Sequence, residues 1–329
     1  MDGRRRRGIA LACLGILALA LTACGRAGRP RTTGAAADVA YAGSLQFLNE
    51  KVIGPAFARA TGFAYQGRGG GSVGLSHEIL AGEITPNVFE SVGSGPIQPL
   101  LPRMTSWYVQ FASSPLVVAY SPRSRFASQL SAIARGQKPL ADLFTLMEQP
   151  GFLLGRTNPQ TDPQGQAFYE MVELAQSELH LPATTVSRVL GPLDNPSQVF
   201  AETTLESRLQ AGQLDAASAF LSQAVELHLP YIALPAAMNF GNPALASRYA
   251  TASVNLGKGQ VVHGVPLVLD ITTLGKREPQ AADAFVAYAL SPAGRRALRT
   301  GGYTLLTPTV FGNRSAVPAE VRKDLSGSS

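Results

Sequence analysis

Cysteine is nearly absent from this chain. Its two cysteines, Cys13 and Cys24, both lie within the first 24 residues. Nothing beyond them can form a disulfide or act as a thiol nucleophile. Histidine is scarce and scattered. His77, His180, His228 and His263 share no His-x-x-x-His spacing and no carboxylate partner spacing, which argues against a histidine metal site. Charge is also sparse, at 15% of residues, with a formal excess of +6. Four of the arginines stand together at Arg4–Arg7; without them and Asp2 the balance falls to 24 basic against 21 acidic residues. There is no dense basic patch with interleaved aromatics, so nucleic acid is not an expected partner. The apolar run Ile9–Leu21 is too short for a comfortable membrane span.

What is present begins with a targeting pattern. Arg4–Arg7 form a basic head, Ile9–Leu21 an apolar middle, and Leu21-Thr22-Ala23-Cys24-Gly25 follows. This resembles a bacterial lipobox, cut before the cysteine, which is then lipidated. Residues 1–23 are therefore read as a signal peptide and Cys24 as a lipid anchor on the outer face of the cytoplasmic membrane. An uncleaved signal anchor is the alternative, and Arg6-Arg7 leaves a twin-arginine export route open. Residues 24–37 carry Gly, Ala, Thr, Arg and Pro without apolar periodicity and read as a flexible tether.

From Asp38 onward, strand and helix patterns alternate, as in an α/β fold. Two small-residue turns stand out, Tyr41-Ala42-Gly43-Ser44-Leu45 and Gly69-Gly70-Gly71-Ser72-Val73, each preceding a helical apolar pattern. Ser44 and Ser72 are read as N-caps. Gly43 and Gly71 would let backbone come close to a bound group. Two converging helix starts, with their free N–H groups, would make a pocket for a small anion. Two ordinary capped helices are the plainer alternative. The Asn87–Ser91 strand and its following turn place Ser91 as a further lining candidate, and Arg68 reads as an exposed arginine. Pro115–Tyr120 and Val261–Thr273 read as long β-runs, and Gln166–Leu179 and Glu202–Gln210 as helices.

The order of several pieces resembles the extracytoplasmic solute-binding proteins of ABC importers, and within them the tungstate/molybdate-binding family. The pieces are Ala42-Gly43-Ser44-Leu45, Gly71-Ser72-Val73, Pro86–Ser91, Trp107–Ala112, Leu116–Tyr120, Asn158-Pro159 with Asp162-Pro163 and Gly165, and Phe220–Ala224 before His228-Leu229. The tail Phe285–Arg296 with Gly301-Gly302-Tyr303 resembles the closing helices of such proteins. The resemblance implies a two-lobe α/β fold of the type II periplasmic-binding-protein kind, hinged by two crossing strands. Lobe one would be 38–115 plus 265–329, and lobe two 116–264. It implies no cofactor and no catalysis, only a bound oxyanion, tungstate or molybdate, passed by a monomer to the transmembrane subunits of a permease. Ser44 and Ser72 would hold the anion from lobe one, and the Asp162 loop and the Phe220 segment would close from lobe two. In the family, an aspartate matching Asp162 and a glutamate coordinate the metal centre of the oxyanion itself.

Three positions depart from the family pattern. The glutamate aligns with Ala219, a neighbouring tyrosine with Phe220, and an aspartate often found in relatives with Asn87. The ligand is accordingly left open: the same scaffold could hold phosphate, sulfate or another small anion, with Asp162 accepting a hydrogen bond from a protonated oxyanion or serving only as a turn residue. Readings of a different class are a sensor-partner lipoprotein and a secreted α/β enzyme. The enzyme would need a base beside Ser44 or Ser72, and the expected topology places no histidine there.

Overall fold

A computed structural model describes residues 34–275 and 277–325. Its strands, in chain order, are β1 (Ala36–Ala42), β2 (Ala64–Gly70), β3 (Val88–Val92), β4 (Trp107–Ser113), β5 (Leu116–Tyr120), β6 (Leu154–Gly155), β7 (Ala216–Phe220), β8 (Tyr231–Ala233), β9 (Ser253–Gly257), β10 (Gln260–His263), β11 (Val268–Thr273) and β12 (Thr304–Gly312). They form two main sheets and one hairpin. The first sheet has the order β12-β4-β11-β3-β1-β2, the second β6-β7-β5-β8, and β9 pairs with β10. In the first sheet β1 runs parallel to β2 and β3, while β11 and β12 are antiparallel to their neighbours. The molecule is a two-lobe α/β fold, with one main sheet per lobe.

The apolar runs explain the layering. Strand β5, Leu116-Val-Val-Ala-Tyr120, is buried along its whole length, as expected of a strand covered on both faces. The Pro163–Glu178 helix packs Phe168, Met171 and Val172 into the same core, all fully buried. Against the first sheet, Phe57 meets Phe285 edge-on with ring centres 5.2 Å apart, and Phe285 also stacks on Tyr65. Burying an aromatic of this size contributes about 1.5–3 kcal/mol.

The chain leaves the first sheet after Ser113 and enters the second at Leu116. It returns through Gly264–Leu267, and the two links touch, with the Ser114 N–H donating to the Leu267 carbonyl at 3.3 Å. The run Val261–Thr273, expected as one strand, is broken there. Gly264 packs directly on the Tyr249 carbonyl and Pro266 lacks an N–H, so β10 and β11 separate. Three other boundaries differ from the sequence reading. β1 begins at Ala36, two residues inside the expected tether, because small Ala37 is wholly buried against the sheet and pairs with Tyr65. The glycine run Gly67–Gly70 belongs to β2 rather than a loop, with the Tyr41 ring lying across Gly67 and Gly69. Strand β12 and the closing Ala319–Leu325 helix have no strong sequence signal and were not expected.

Candidate functional site

Parallel pairing decides where the two turns fall. Ala42 of β1 stands opposite Gly70 of β2, so Gly43 and Gly71 leave the sheet side by side. Tyr41 stands opposite Glu90 of β3, which brings Ser91 to the same end. The carboxyl ends of parallel strands are where α/β sheets present their binding loops.

The capping expectation is off by two residues at the Ser44 turn and by one at the Ser72 turn. The N-caps are Ala42 and Gly71, both extended (φ −53°, ψ 136° and φ −61°, ψ 128°), and neither makes a side-chain cap hydrogen bond. Ser72 is already the first residue of the Ser72–Ala81 helix. Its Oγ accepts the Val92 N–H at 3.2 Å, tying the turn to the end of β3. Ser44 lies inside a single 3-10 turn, Gly43–Leu45. Its carbonyl accepts the Tyr303 hydroxyl at 3.1 Å. The helix after it is not one regular element: a π-helical stretch, Leu48–Ile53, precedes the α-helix Gly54–Thr61.

Facing these turns from the second lobe is a wall that encloses a cavity of about 340 Å³. Gly43 and Gly69–Gly71 line it on one side, and Thr157, Asp162 and Glu202 on the other. Among the described residues, no lysine, arginine or histidine lines it. The contact is close. The Gly74 N–H, in the first turn of its helix, donates to the Thr161 carbonyl at 3.1 Å. A Cβ on Gly71 would lie 2.5 Å from that same carbonyl oxygen, and one on Gly43 would collide with Glu202 Oε2. Both glycines are needed for this approach.

Asp162 is buried and is the N-cap of the Pro163–Glu178 helix. Its Oδ1 accepts the Gln164 N–H at 2.8 Å. Burial pushes its pKa up to about 6, against the stabilising effect of that N–H. Glu202, the first residue of the Glu202–Gln210 helix, is also buried. Burial, then the nearby charges of Asp162 and Glu206, hold its carboxyl well above the usual range. Its Oε1 accepts from Gln164 Nε2 at 3.1 Å and Gln223 Nε2 at 2.8 Å, and the Ser44 N–H faces it.

The structure therefore brings Gly43, Gly71 and Asp162 to one cavity, with Ser44 and Ser72 directly behind it. Ala219, Phe220 and Ser91 lie outside its lining. Ala219 and Phe220 are buried at the end of β7, paired with Val117 and Leu116. The Phe220 segment reaches the site through Gln223, whose Oε1 accepts the Phe220 N–H at 2.7 Å. Ser91 is buried and donates to the Gly93 carbonyl at 2.8 Å. Arg68 is on the exposed edge strand and pairs with Glu78 at 2.6 Å, away from the lining. Cys24 lies outside the described residues, as do the other readings on residues 1–33.

Sequence reasoning missed Glu202, Gln164 and Gln223. A glutamate at a helix start reads as ordinary complement to the helix dipole. The only signal was negative: a family glutamate absent at Ala219, with another carboxylate unassigned on a neighbouring element. The sequence reading also held that no Gly-x-Ser-x-Gly elbow is present, and that is wrong. Gly70-Gly71-Ser72-Val73-Gly74 has the Gly-x-Ser-x-Gly spacing of a nucleophile elbow, on a strand-to-helix turn. Ser72 Oγ is hydrogen-bonded by the Val92 N–H, and no histidine among the described residues hydrogen-bonds it.

A two-lobe α/β fold with a cavity between facing loops is the arrangement of a ligand-binding protein of the periplasmic type. Residues 37–304 match the family model for bacterial extracellular solute-binding proteins, and the chain belongs to that family. The family consists of binding components of transporters rather than enzymes. A putative ABC transporter molybdenum-binding protein of Haloferax volcanii is 34% identical over 64% of this chain and 65% of its own length. A molybdate/tungstate-binding protein of Pyrococcus abyssi is 27% identical over 68% of this chain and 69% of its own. The chain thus spans about two thirds of these relatives' lengths. Among solved structures, the periplasmic molybdate-binding protein of Azotobacter vinelandii superposes with a TM-score of 0.52 at 18% identity, covering 82% of this chain and 98% of that one. That likeness establishes the fold.

Proposed function

We propose that this protein captures a small tetrahedral oxyanion, molybdate or tungstate, between its lobes and delivers it to the transmembrane subunits of an ABC permease. The observation that carries the reading is the pairing of the Gly43 and Gly71 turns at one end of the first sheet, opposite Asp162 across the cavity. The names of the relatives from Haloferax volcanii and Pyrococcus abyssi support the choice of anion. In this reading lobe one is 38–115 plus 265–329 and lobe two is 116–264, the protein works as a monomer, and it needs no cofactor. Backbone N–H groups of the two turns, with the hydroxyls of Ser44 and Ser72, replace the water that the anion sheds. Asp162 coordinates the metal centre.

Titration calorimetry with molybdate, tungstate, sulfate and phosphate tests this. Molybdate and tungstate should bind, sulfate and phosphate poorly. Asp162→Asn should keep the fold, because asparagine caps helices as well as aspartate, and should weaken molybdate about tenfold or more. Equal or tighter molybdate binding in that variant would return Asp162 to a capping role. A phosphate preference that vanishes in it would favour a protonated oxyanion instead.

Residues 1–23 act as a signal peptide in the same reading, and Cys24 carries lipid that holds the protein on the outer face of the cytoplasmic membrane. Cys24→Ala should release it to the soluble fraction. Retention on membranes after a carbonate wash would make Ile9–Leu21 an anchor.

A further inference from the structure

Each glycine–serine turn of the first lobe is met by an oxygen of the second. At the Gly71 turn it is the Thr161 carbonyl. At the Gly43 turn it is a carboxylate, Glu202. A buried carboxylate is costly unless it is held by fixed donors, and this one is held. Ser218 Oγ donates to Gln164 Oε1 at 2.8 Å, which turns the Gln164 amide so that its Nε2 points to Glu202 Oε1. The Phe220 N–H fixes Gln223 in the same way, and Gln223 Nε2 donates to the same Glu202 oxygen. Two oriented amides of the second lobe thus present the carboxylate to the backbone of the first. Gly43 has no Cβ to keep it out.

We propose that Glu202 is a tethered internal carboxyl group that occupies the Gly43–Ser44 turn, latches the lobes together, and competes with the free oxyanion for the Ser44 N–H. The inference rests on the oxyanion reading above. A ligand enters this turn only by displacing Glu202, so the side chain lowers affinity and holds a closed form without a ligand. Weakly held anions are thereby screened out, because each must supply more contact than the glutamate it replaces.

Two variants separate competition from simple repulsion. Glu202→Gln replaces the carboxyl by an amide at constant length. Glu202→Asp keeps the carboxyl but is one methylene too short to rest on Gly43. Molybdate titrations should show both binding at least about tenfold tighter than wild type. Small-angle scattering without added oxyanion should give both a larger radius of gyration than wild type, with thermal melts confirming that each is folded. Unchanged or weaker molybdate binding in both variants, or a gain in Glu202→Gln alone, would overturn the inference. If no oxyanion binds wild type or either variant, the functional reading fails. The scattering comparison, which needs no ligand, then still decides whether Glu202 latches the lobes; an unchanged radius overturns that too.

Discussion

The two turns at the end of the first sheet look alike in sequence and are met in opposite ways. The Gly71 turn faces backbone, the Thr161 carbonyl, held in place by the Asp162 cap and the following helix. The Gly43 turn faces the end of a flexible side chain, Glu202. Backbone at the start of a capped helix cannot give way without moving that helix. A glutamate tip moves by rotating about its own bonds. The first contact is therefore a fixed stop for lobe closure and the second an adjustable one.

The largest effect should come from adding one methyl group at the fixed stop. Alanine tolerates the backbone of Gly71, whose φ of −61° is ordinary, so Gly71→Ala should fold. Its Cβ would lie 2.5 Å from the Thr161 oxygen, and overpacking of this kind costs about 1–3 kcal/mol. The cost falls on the closed form, so molybdate affinity should drop about 10–100-fold. Gly43→Ala meets the Glu202 carboxyl, which can swing aside, and the Glu202 Cβ only at 3.1 Å, so it should lose less. Calorimetry on the pair checks this directly. Equal losses would erase the distinction between the two stops.

Titration should separate the two contacts more gently. Around the Glu202 contact, burial raises Glu206 to about 7 and Glu226 to about 8. At the other contact Asp162 is raised only to about 6. Away from the cleft, burial holds Glu90 at about 7, Asp270 at about 8 and Glu170 at about 9. In every case the folded value exceeds the unfolded one. The folded state binds more protons, so the stability these groups contribute is full below about pH 4 and is lost as pH rises through 6 to 9. The melting temperature should be higher at pH 5.5 than at pH 8.5, by about 2–4 °C for each kcal/mol involved. Glu226→Gln should flatten that slope more than Asp162→Asn. A melting temperature that rises towards pH 8.5 would contradict the assignment.

Much of this arrangement could be read before any coordinates. The α/β alternation, the buried β5 run and the two glycine–serine turns are local patterns that bring Gly43 and Gly71 together, while Asp162 was set opposite them only by the family resemblance. Glu202 could not be read this way. Its position depends on the Gln164 and Gln223 amides, which come from two other helices and are oriented by Ser218 and the Phe220 backbone. No spacing within one segment encodes such a relay. The capping error has a similar origin: pattern alone cannot say whether Gly71 or Ser72 carries the extended backbone of the cap. β12 was hidden because its exposed residues break the alternation a strand would show.

The smallest expected effect concerns Ser72, and it tests what the correction to the caps implies. A serine that capped its helix would lose cap energy on truncation and leave β3 untouched. In the structure its oxygen instead accepts the N–H of Val92, a buried backbone group at the end of β3. Ser72→Ala leaves that N–H without its acceptor, at a cost of about 1 kcal/mol. The loss should appear as faster hydrogen exchange at Val92, with the Ser72–Ala81 helix amides little changed. The hydroxyl proton is not used in that bond and can still be given to an anion, so molybdate affinity should fall by less than about tenfold, well below the loss from Gly71→Ala one residue away. If Ser72→Ala instead abolished binding in a folded protein, the hydroxyl would be a principal holder of the ligand, and the difference between the two turns would lie in their side chains rather than in what each one meets.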